Sequence, residues 1–158
     1  MASLPHLADL RCQMHEPLQE NGTVKLWILP QTRQGPPPEE AANAFAFLEQ
    51  CGDLVRQILL ESAADWYSEN DLVEDDDFLP GEDEIDPERV ARHLEVVGVH
   101  FLSPHRDGFS YVGFKCRCDW SDAGFGLLLH IDRVVKVGDH EVATDHHAAK
   151  DDAEGRRP

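Results

Sequence analysis

The chain has 158 residues, of which 41% are hydrophobic, and its formal net charge is −17 at pH 7. These values predict a folded domain with its own core, and the charge argues against nucleic acid as a partner because phosphates would be repelled. The sequence contains no apolar run of the length that a membrane span needs, and its first residues lack the pattern of a signal peptide. We therefore expect a cytoplasmic protein.

The N-terminal part contains two short strand signals. Leu10–His15 is a candidate edge strand, and Asn21-Gly22 is a turn signal that would join it in a hairpin to the next stretch. From Thr23 to Leu29 the apolar side chains alternate, which is typical of a strand. We expect this strand to be added to the main sheet.

A helical region follows over residues 38–68. Pro38 before Glu39 and Glu40 predicts a helix start, because proline fits the first turn and acids favour the N-terminal dipole. Apolar residues then recur at helical spacing. Gly52-Asp53 interrupts the pattern, which predicts either two abutting helices or one long kinked helix.

Residues 69–88 hold eleven acidic side chains and no basic one. Mutual repulsion predicts an extended, mobile loop, closed by a short helical turn that Asp86 would cap. Such a loop is either a solvated segment that keeps the protein soluble or a docking surface for a basic protein or for cations, although its spacing does not match an EF-hand. The candidate partner-binding residues in it are Glu74, Asp75, Asp76, Asp77, Glu82, Asp83 and Glu84.

The remainder of the fold is organised around the strand signal Phe109–Trp120. Two sets of side chains alternate along it: Val112, Phe114, Cys116, Cys118 and Trp120 against Tyr111, Lys115, Arg117 and Asp119. This pattern predicts one buried and one wet face. Tyr111, expected on the wet face among charges, joins the partner-binding candidates.

Flanking strands are predicted at Val96–Leu102, Phe125–Ile131 and Val134–Val137, with turns at 103–108 and 121–124. The sequence therefore predicts an α+β fold, an antiparallel β-meander of four to six strands packed on one face by a long kinked helix or a helix pair. We expect one domain over residues 1–143 and a disordered tail over 144–158.

The second half of the chain resembles a bacterial domain family of unknown function. The resemblance rests on Val97–Phe101, Asp107-Gly108, Tyr111–Phe114, Asp119-Trp120, Phe125-Gly126, Arg133–Gly138 and Val142-Ala143. It extends over about residues 22–143 and implies the same fold layout, a bacterial source and no known activity. Relatives found near toxin-immunity genes imply an inhibitor role.

The sequence departs from the family pattern in one turn. The family carries an acid-His-Gly sequence after the tryptophan, whereas this chain has Ser121–Gly124 and is a residue shorter. Any ligand role of that histidine does not transfer to this chain.

A metal site is the main chemical alternative. His100, Cys116, Cys118 and His130 lie on neighbouring predicted strands, and thiolate and imidazole suit zinc. A Cys-x-Cys pair on a strand is also what reduced core thiols look like, and the two histidines could face away from the cysteines. No cofactor is indicated, and no residue stands out as catalytic.

These observations favour a non-catalytic interaction protein that binds a basic partner, in the manner of an immunity protein. Two other functions stay open. One is a metal-binding protein or metal-dependent enzyme, and the other is a structural homodimer that pairs through a sheet edge at Val134–Val137 or at residues 10–15.

Overall fold

The computed structural model describes residues 4–8, 10, 25–28, 38–69 and 86–156, and for 25–28 it describes the backbone alone. The expected hairpin at Asn21-Gly22, strand residues 11–15 and loop residues 70–85 lie outside these ranges. The helices are α1 (Pro5–Ala8), α2 (Glu39–Gln50), α3 (Gly52–Glu69), α4 (Pro87–Val90) and α5 (His146–Ala153), with a 3₁₀ helix at His140–Thr144. The strands are β1 (Lys25–Ile28), β2 (Leu94–Arg106), β3 (Phe109–Cys118), β4 (Ser121–His130) and β5 (Arg133–Gly138).

The five strands form one sheet in the order β1-β2-β3-β4-β5. Strands β2 to β5 are the predicted antiparallel meander, which confirms the α+β class. Strand β1 pairs in parallel with β2, from Lys25 opposite Gly98 to Ile28 opposite Phe101. A parallel neighbour requires a crossover connection, and the segment that contains α2, α3 and α4 provides it.

The turns differ from expectation at two points. Asp107 and Gly108 both have positive φ (53° and 82°) and alone connect β2 to β3, as a two-residue turn with left-handed backbone requires. The loop expected over 103–108 is therefore mostly strand. The turn between β3 and β4 lies at Asp119-Trp120, not at residues 121–124, which begin β4.

Helices α2 and α3 abut at Cys51, as the predicted interruption requires, and contact one face of the sheet. The rings of Phe45 and Phe101 lie 6.3 Å apart, and those of Trp66 and Phe125 lie 5.6 Å apart. Cys116 and Cys118 are buried in this core with the expected apolar strand residues. No helix in the described ranges has both the length and the apolar character for crossing a membrane.

The opposite face of the sheet is also buried, which corrects two expectations. Residues 146–153, expected in a disordered tail, form α5, and Tyr111, expected in water, is 0% exposed. Asp145 caps α5 by accepting a hydrogen bond from the Ala148 amide at 2.9 Å. A second apolar cluster, Leu102, Tyr111, Leu128, Val142 and Ala149, fills the space between α5, the 3₁₀ helix and the sheet. The tail thus folds because it has an apolar surface to cover.

Glycines in the strands make this second layer close-fitting. A Cβ atom at Gly113 would overlap the backbone carbonyl of Ala143, and one at Gly126 would overlap the carbonyl oxygen of Asp139. The 3₁₀ helix therefore lies directly on the sheet backbone, an approach that only glycine permits.

We predict that Gly113→Ala destabilises the fold more than Gly138→Ala. The first substitution forces the new Cβ atom against a backbone carbonyl, which lowers the free energy of unfolding by about 1–3 kcal/mol. The second meets the end of the flexible Val142 side chain, which can shift. Urea unfolding of both variants measures the difference, and equal midpoints would contradict the packing described here.

Candidate functional site

The four candidate metal ligands are divided between the two faces of the sheet. Cys116 and Cys118 lie in the core under α2 and α3. His100 pairs with Gly113 on the outer face, and its burial, followed by the Lys115 charge, lowers its pKa. His130 lies against the Tyr111 ring, with centroids 4.6 Å apart. In the part of the chain that the structure describes, no three His, Cys, Asp or Glu side chains are grouped as metal ligands.

The residues predicted from the sequence to bind a partner fall into two groups, those outside the described ranges and Tyr111. The carboxylates of residues 74–77 and 82–84 lie outside the described ranges, so their role stays a prediction. Tyr111 is described, and its expected exposure is wrong because α5 and the strands bury it completely; its role in partner binding stays a prediction. The described ranges instead contain two charged arrangements, one on each side of the molecule.

The first arrangement is an acidic stripe on the outer surface of α3. Asp53, Glu61, Asp65 and Glu69 are all exposed and lie four or eight residues apart, with Gln57 completing the series. Positions four residues apart are neighbours on a helix surface, and each such step turns about 40° around the axis, so the series winds around α3 from Asp53 to Glu69. At 1.5 Å of rise per residue the stripe is about 24 Å long. We call these four carboxylates the acidic stripe.

Little positive charge offsets the stripe within its own helices. Residues 38–69 contain seven acidic side chains and a single basic one, Arg56. Arg56 is engaged elsewhere, with its guanidinium 2.9 Å from the Glu88 carboxylate on α4. Asp53 contacts the His6 ring at 2.9 Å. The stripe therefore presents net negative charge to the solvent.

An apolar residue borders the stripe. Leu54 is 42% exposed, and in the described ranges only Val134 is a comparable large apolar exposure. Ile58, one turn further along α3, packs against the core but is half-buried. The surface thus combines carboxylates with a small apolar patch at Leu54.

The second arrangement is a carboxylate clamp between α5 and the sheet. The Tyr111 hydroxyl donates to Asp152 Oδ2 at 2.6 Å, and the Arg133 guanidinium donates to both Asp152 oxygens, at 2.9 and 2.5 Å. Arg106 donates to the Asp152 carbonyl oxygen at 3.4 Å. This bidentate geometry is the strong form of a charge-assisted hydrogen bond. We call Tyr111, Arg133, Arg106 and Asp152 the carboxylate clamp.

The clamp shifts the titration of its members. Hydrogen bonds from Arg133, opposed by burial and aided by Tyr111, lower the pKa of Asp152 to about 2. Burial raises the pKa of Tyr111 far above its usual value, and the hydrogen bond to Asp152 adds to the effect. The Asp152 hydrogen bond likewise raises the pKa of Arg133. The carboxylate is therefore ionised, and the phenol protonated, over the whole physiological range.

Two further ion pairs close the other end of the sheet. His93 Nδ1 lies 2.9 Å from Asp119 Oδ2, beside a backbone hydrogen bond from the Asp119 amide to the His93 carbonyl. Arg117 lies 2.7 Å from the fully buried Glu95. The contacts of His93 join the turn before β2 to the turn after β3, and the pair of Arg117 and Glu95 joins the two strands beside these turns.

Sequence reasoning missed both arrangements. The acidic stripe has a sequence signal, carboxylates at four-residue spacing, but the prediction of a docking surface is based on the more acidic loop that follows. The clamp had two weaker signals. Asp145 before Ala148 and Ala149 is a helix start, and glycines inside strands, such as Gly113 and Gly126, indicate a close backbone approach.

Comparison with known proteins identifies one family. A family model described as "Domain of unknown function (DUF6985)" matches residues 12–144. No curated protein and no solved structure matches the chain. The matched region ends just before α5, so it contains Tyr111, Arg106 and Arg133 but not Asp152.

We predict that Asp152→Asn lowers the free energy of unfolding by roughly 1.5–3 kcal/mol at neutral pH, the usual value of hydrogen bonds to a charged group. Because the folded pKa of about 2 lies below the usual value near 3.9, the ionised form stabilises the fold above about pH 5. That contribution is lost as the pH falls towards 2, so wild type and variant should converge in acid.

Asp151→Asn is the matched control, since it removes the same charge from the neighbouring residue. Urea unfolding between pH 2 and 7 gives the measurement. A wild-type acid limb identical to that of Asp152→Asn would refute the clamp. Above about pH 10 the wild type should also lose stability that Tyr111→Phe does not lose, because the raised pKa of Tyr111 makes the phenolate unfavourable in the fold.

Proposed function

This chain belongs to the DUF6985 family of domains of unknown function, and we propose that it is a non-catalytic interaction protein that binds a basic protein through its acidic surface. The acidic stripe on α3 is the observation that carries the proposal. The acidic segment 70–85 follows α3 directly in sequence and extends the same charge.

The stripe is unfavourable for the helix that carries it, which supports a role in binding. Like charges four residues apart, as in Glu61–Asp65 and Asp65–Glu69, each destabilise a helix by about 0.2–0.5 kcal/mol. Glu69 also lies at the C-terminal end of α3, where the helix dipole disfavours negative charge. A purely structural helix surface would mix both signs.

The spacing of the stripe defines the partner surface. Carboxylates one turn apart are separated by about 6 Å along the helix axis, so a partner should present Lys or Arg side chains at a similar spacing. Leu54 and Ile58 beside the stripe supply an apolar contact at which water is excluded. Charge then sets the association rate, and the apolar contact slows dissociation.

An inhibitor of immunity type would use this surface in a direct way. A toxin whose active surface is basic would be covered by the stripe, and the negative charge of the whole chain, −17, would accelerate the encounter. The resemblance noted from the sequence agrees with this role. The identity of the genes beside the coding sequence would name the toxin to be tested.

We predict that replacing three stripe carboxylates, in the variant Glu61→Gln/Asp65→Asn/Glu69→Gln, weakens partner binding at least about tenfold, mainly through slower association. Capture from a lysate of the source cells identifies the partner, and the test is made on the purified pair by surface plasmon resonance. Wild-type affinity should fall steeply between 0.1 and 1 M salt, because the screening length shrinks from about 10 to about 3 Å.

The control variant Asp107→Asn/Asp122→Asn/Asp132→Asn removes the same charge from three exposed positions in or beside the strand turns. It should bind as the wild type does. Equal weakening by both variants would show that net charge, and not the stripe, governs binding. Failure to capture any partner that distinguishes the two variants would also refute the proposal.

We further predict that Asp65→Lys stabilises the isolated protein by about 0.5–1 kcal/mol while it abolishes partner binding. The lysine replaces two repulsive contacts, with Glu61 and Glu69, by two attractive ones. Thermal unfolding and the binding assay measure the two effects. A gain in stability together with a loss of binding is expected where function, and not stability, maintains a residue. A variant less stable than the wild type would contradict this prediction.

A further inference from the structure

Helix α5 is too short to persist on its own. It has eight residues, His146–Ala153, and isolated helices below about 12 residues are marginal in water. Its N-terminus is capped by Asp145, which also lies 2.6 Å from Lys136 on β5. The helix therefore depends on its contact with the sheet.

The side of that contact which α5 supplies is small and mostly polar. Ala149 is the fully buried apolar residue of α5, and the half-buried Ala148 and Ala153 lie at its margins. Burial of alanine side chains contributes little apolar area. The Asp152 carboxylate, held by Tyr111 and Arg133, is the strongest contact that α5 makes with the strands.

The two sides of the contact lie on either side of the end of the family match. Tyr111, Leu128, Arg106 and Arg133 belong to the region that the family model matches, residues 12–144, and α5 follows that region. The matched region of this chain thus supplies one whole side of the contact: an apolar floor, a buried phenol and two guanidinium groups. The segment beyond the match supplies the carboxylate that fills it.

We propose that this outer face of the sheet is a receptor for a short acidic helix, and that α5 occupies it as a tethered ligand. The partner is a protein segment with the chemistry of α5, an alanine facing the Leu128 floor and an aspartate three residues later on Arg133 and Tyr111. The surface lies across the sheet from the acidic stripe, so this proposal is independent of the proposed function.

The tether determines when the receptor is open. Asp145 alone separates the 3₁₀ helix from α5, so α5 competes at an effective concentration in the millimolar range or above. A helix supplied by another protein gains access only when α5 detaches. Detachment breaks few contacts, and such elements open locally before the rest of a fold.

The test uses the full chain and a synthetic peptide of residues 145–156 labelled with fluorescein. In the full-length variant Ala149→Glu/Asp152→Ala, α5 is present but can no longer dock. Fluorescence anisotropy should show that this variant binds the peptide at least about tenfold more tightly than the wild type does. Adding Arg133→Gln to the variant, or Asp152→Asn to the peptide, should remove most of that binding.

Absence of binding by a folded variant, or binding indifferent to Arg133 and to the peptide aspartate, would overturn the proposal. Hydrogen exchange on the unmodified chain tests it should the variant fail to fold. Amides of residues 146–153 should exchange at least about tenfold faster than those of β3 and β4. Exchange of α5 together with the sheet would show that α5 is an integral part of the fold, and would refute a displaceable ligand.

Discussion

The contact between the 3₁₀ helix and Gly113 is the one on which the rest of the outer layer depends. Because Gly113 and Gly126 have no side chains, the backbone around Ala143 and Asp139 can lie directly on the sheet. That position fixes Asp145 beside Lys136 and directs α5 across the strands. Asp152 then reaches Arg133 and Tyr111. The absence of side chains at these two glycines thus determines where the C-terminal segment folds, which face of the sheet it covers and that Asp152 is the carboxylate held there.

The distribution of charge follows from this arrangement. On the outer face the basic side chains of β5 are used internally, since Arg133 pairs with Asp152 and Lys136 with Asp145. Arg56 of α3 pairs with Glu88. These cations are held close to carboxylates, so their fields are largely cancelled beyond a few ångströms. Among the described residues the acidic stripe has less such compensation, since only Asp53 contacts a nitrogen base, the His6 ring, and net negative charge remains on the exposed surface of α3.

The sequence predicted most of the inner layer. The alternation of Phe114, Cys116 and Cys118, the break between α2 and α3 and the Asp107-Gly108 turn are local patterns, and local patterns are readable without coordinates. The prediction for the outer layer is wrong for a physical reason. A strand face with tyrosine, glycine, lysine and arginine appears solvent-exposed unless the element that covers it is recognised. Helix α5, which covers it, consists of alanine, histidine, lysine and aspartate and gives little apolar signal.

The candidate sites were harder to predict than the fold. Tyr111 is predicted to be exposed but is instead a buried hydrogen-bond donor. The prediction fails because its partner, Asp152, lies 41 residues away in sequence. The separation of His100 from the two cysteines depends on the irregularity in β2 between Val96 and Gly98. Contacts between residues so far apart in sequence are set by the topology of the fold, which composition and residue spacing do not determine.

Both candidate surfaces share one property, which is that each departs from what would stabilise its own element most. Helix α3 carries carboxylates at the spacing at which they repel one another, and α5 relies on one ion pair where a structural helix would bury larger apolar side chains. Sequences are otherwise locally consistent with their fold, and departures concentrate at functional positions. The inner layer, with Phe45 on Phe101 and Trp66 on Phe125, shows no such conflict. The stability of the inner layer is what allows both surfaces to depart from the arrangement that would stabilise their own helices most.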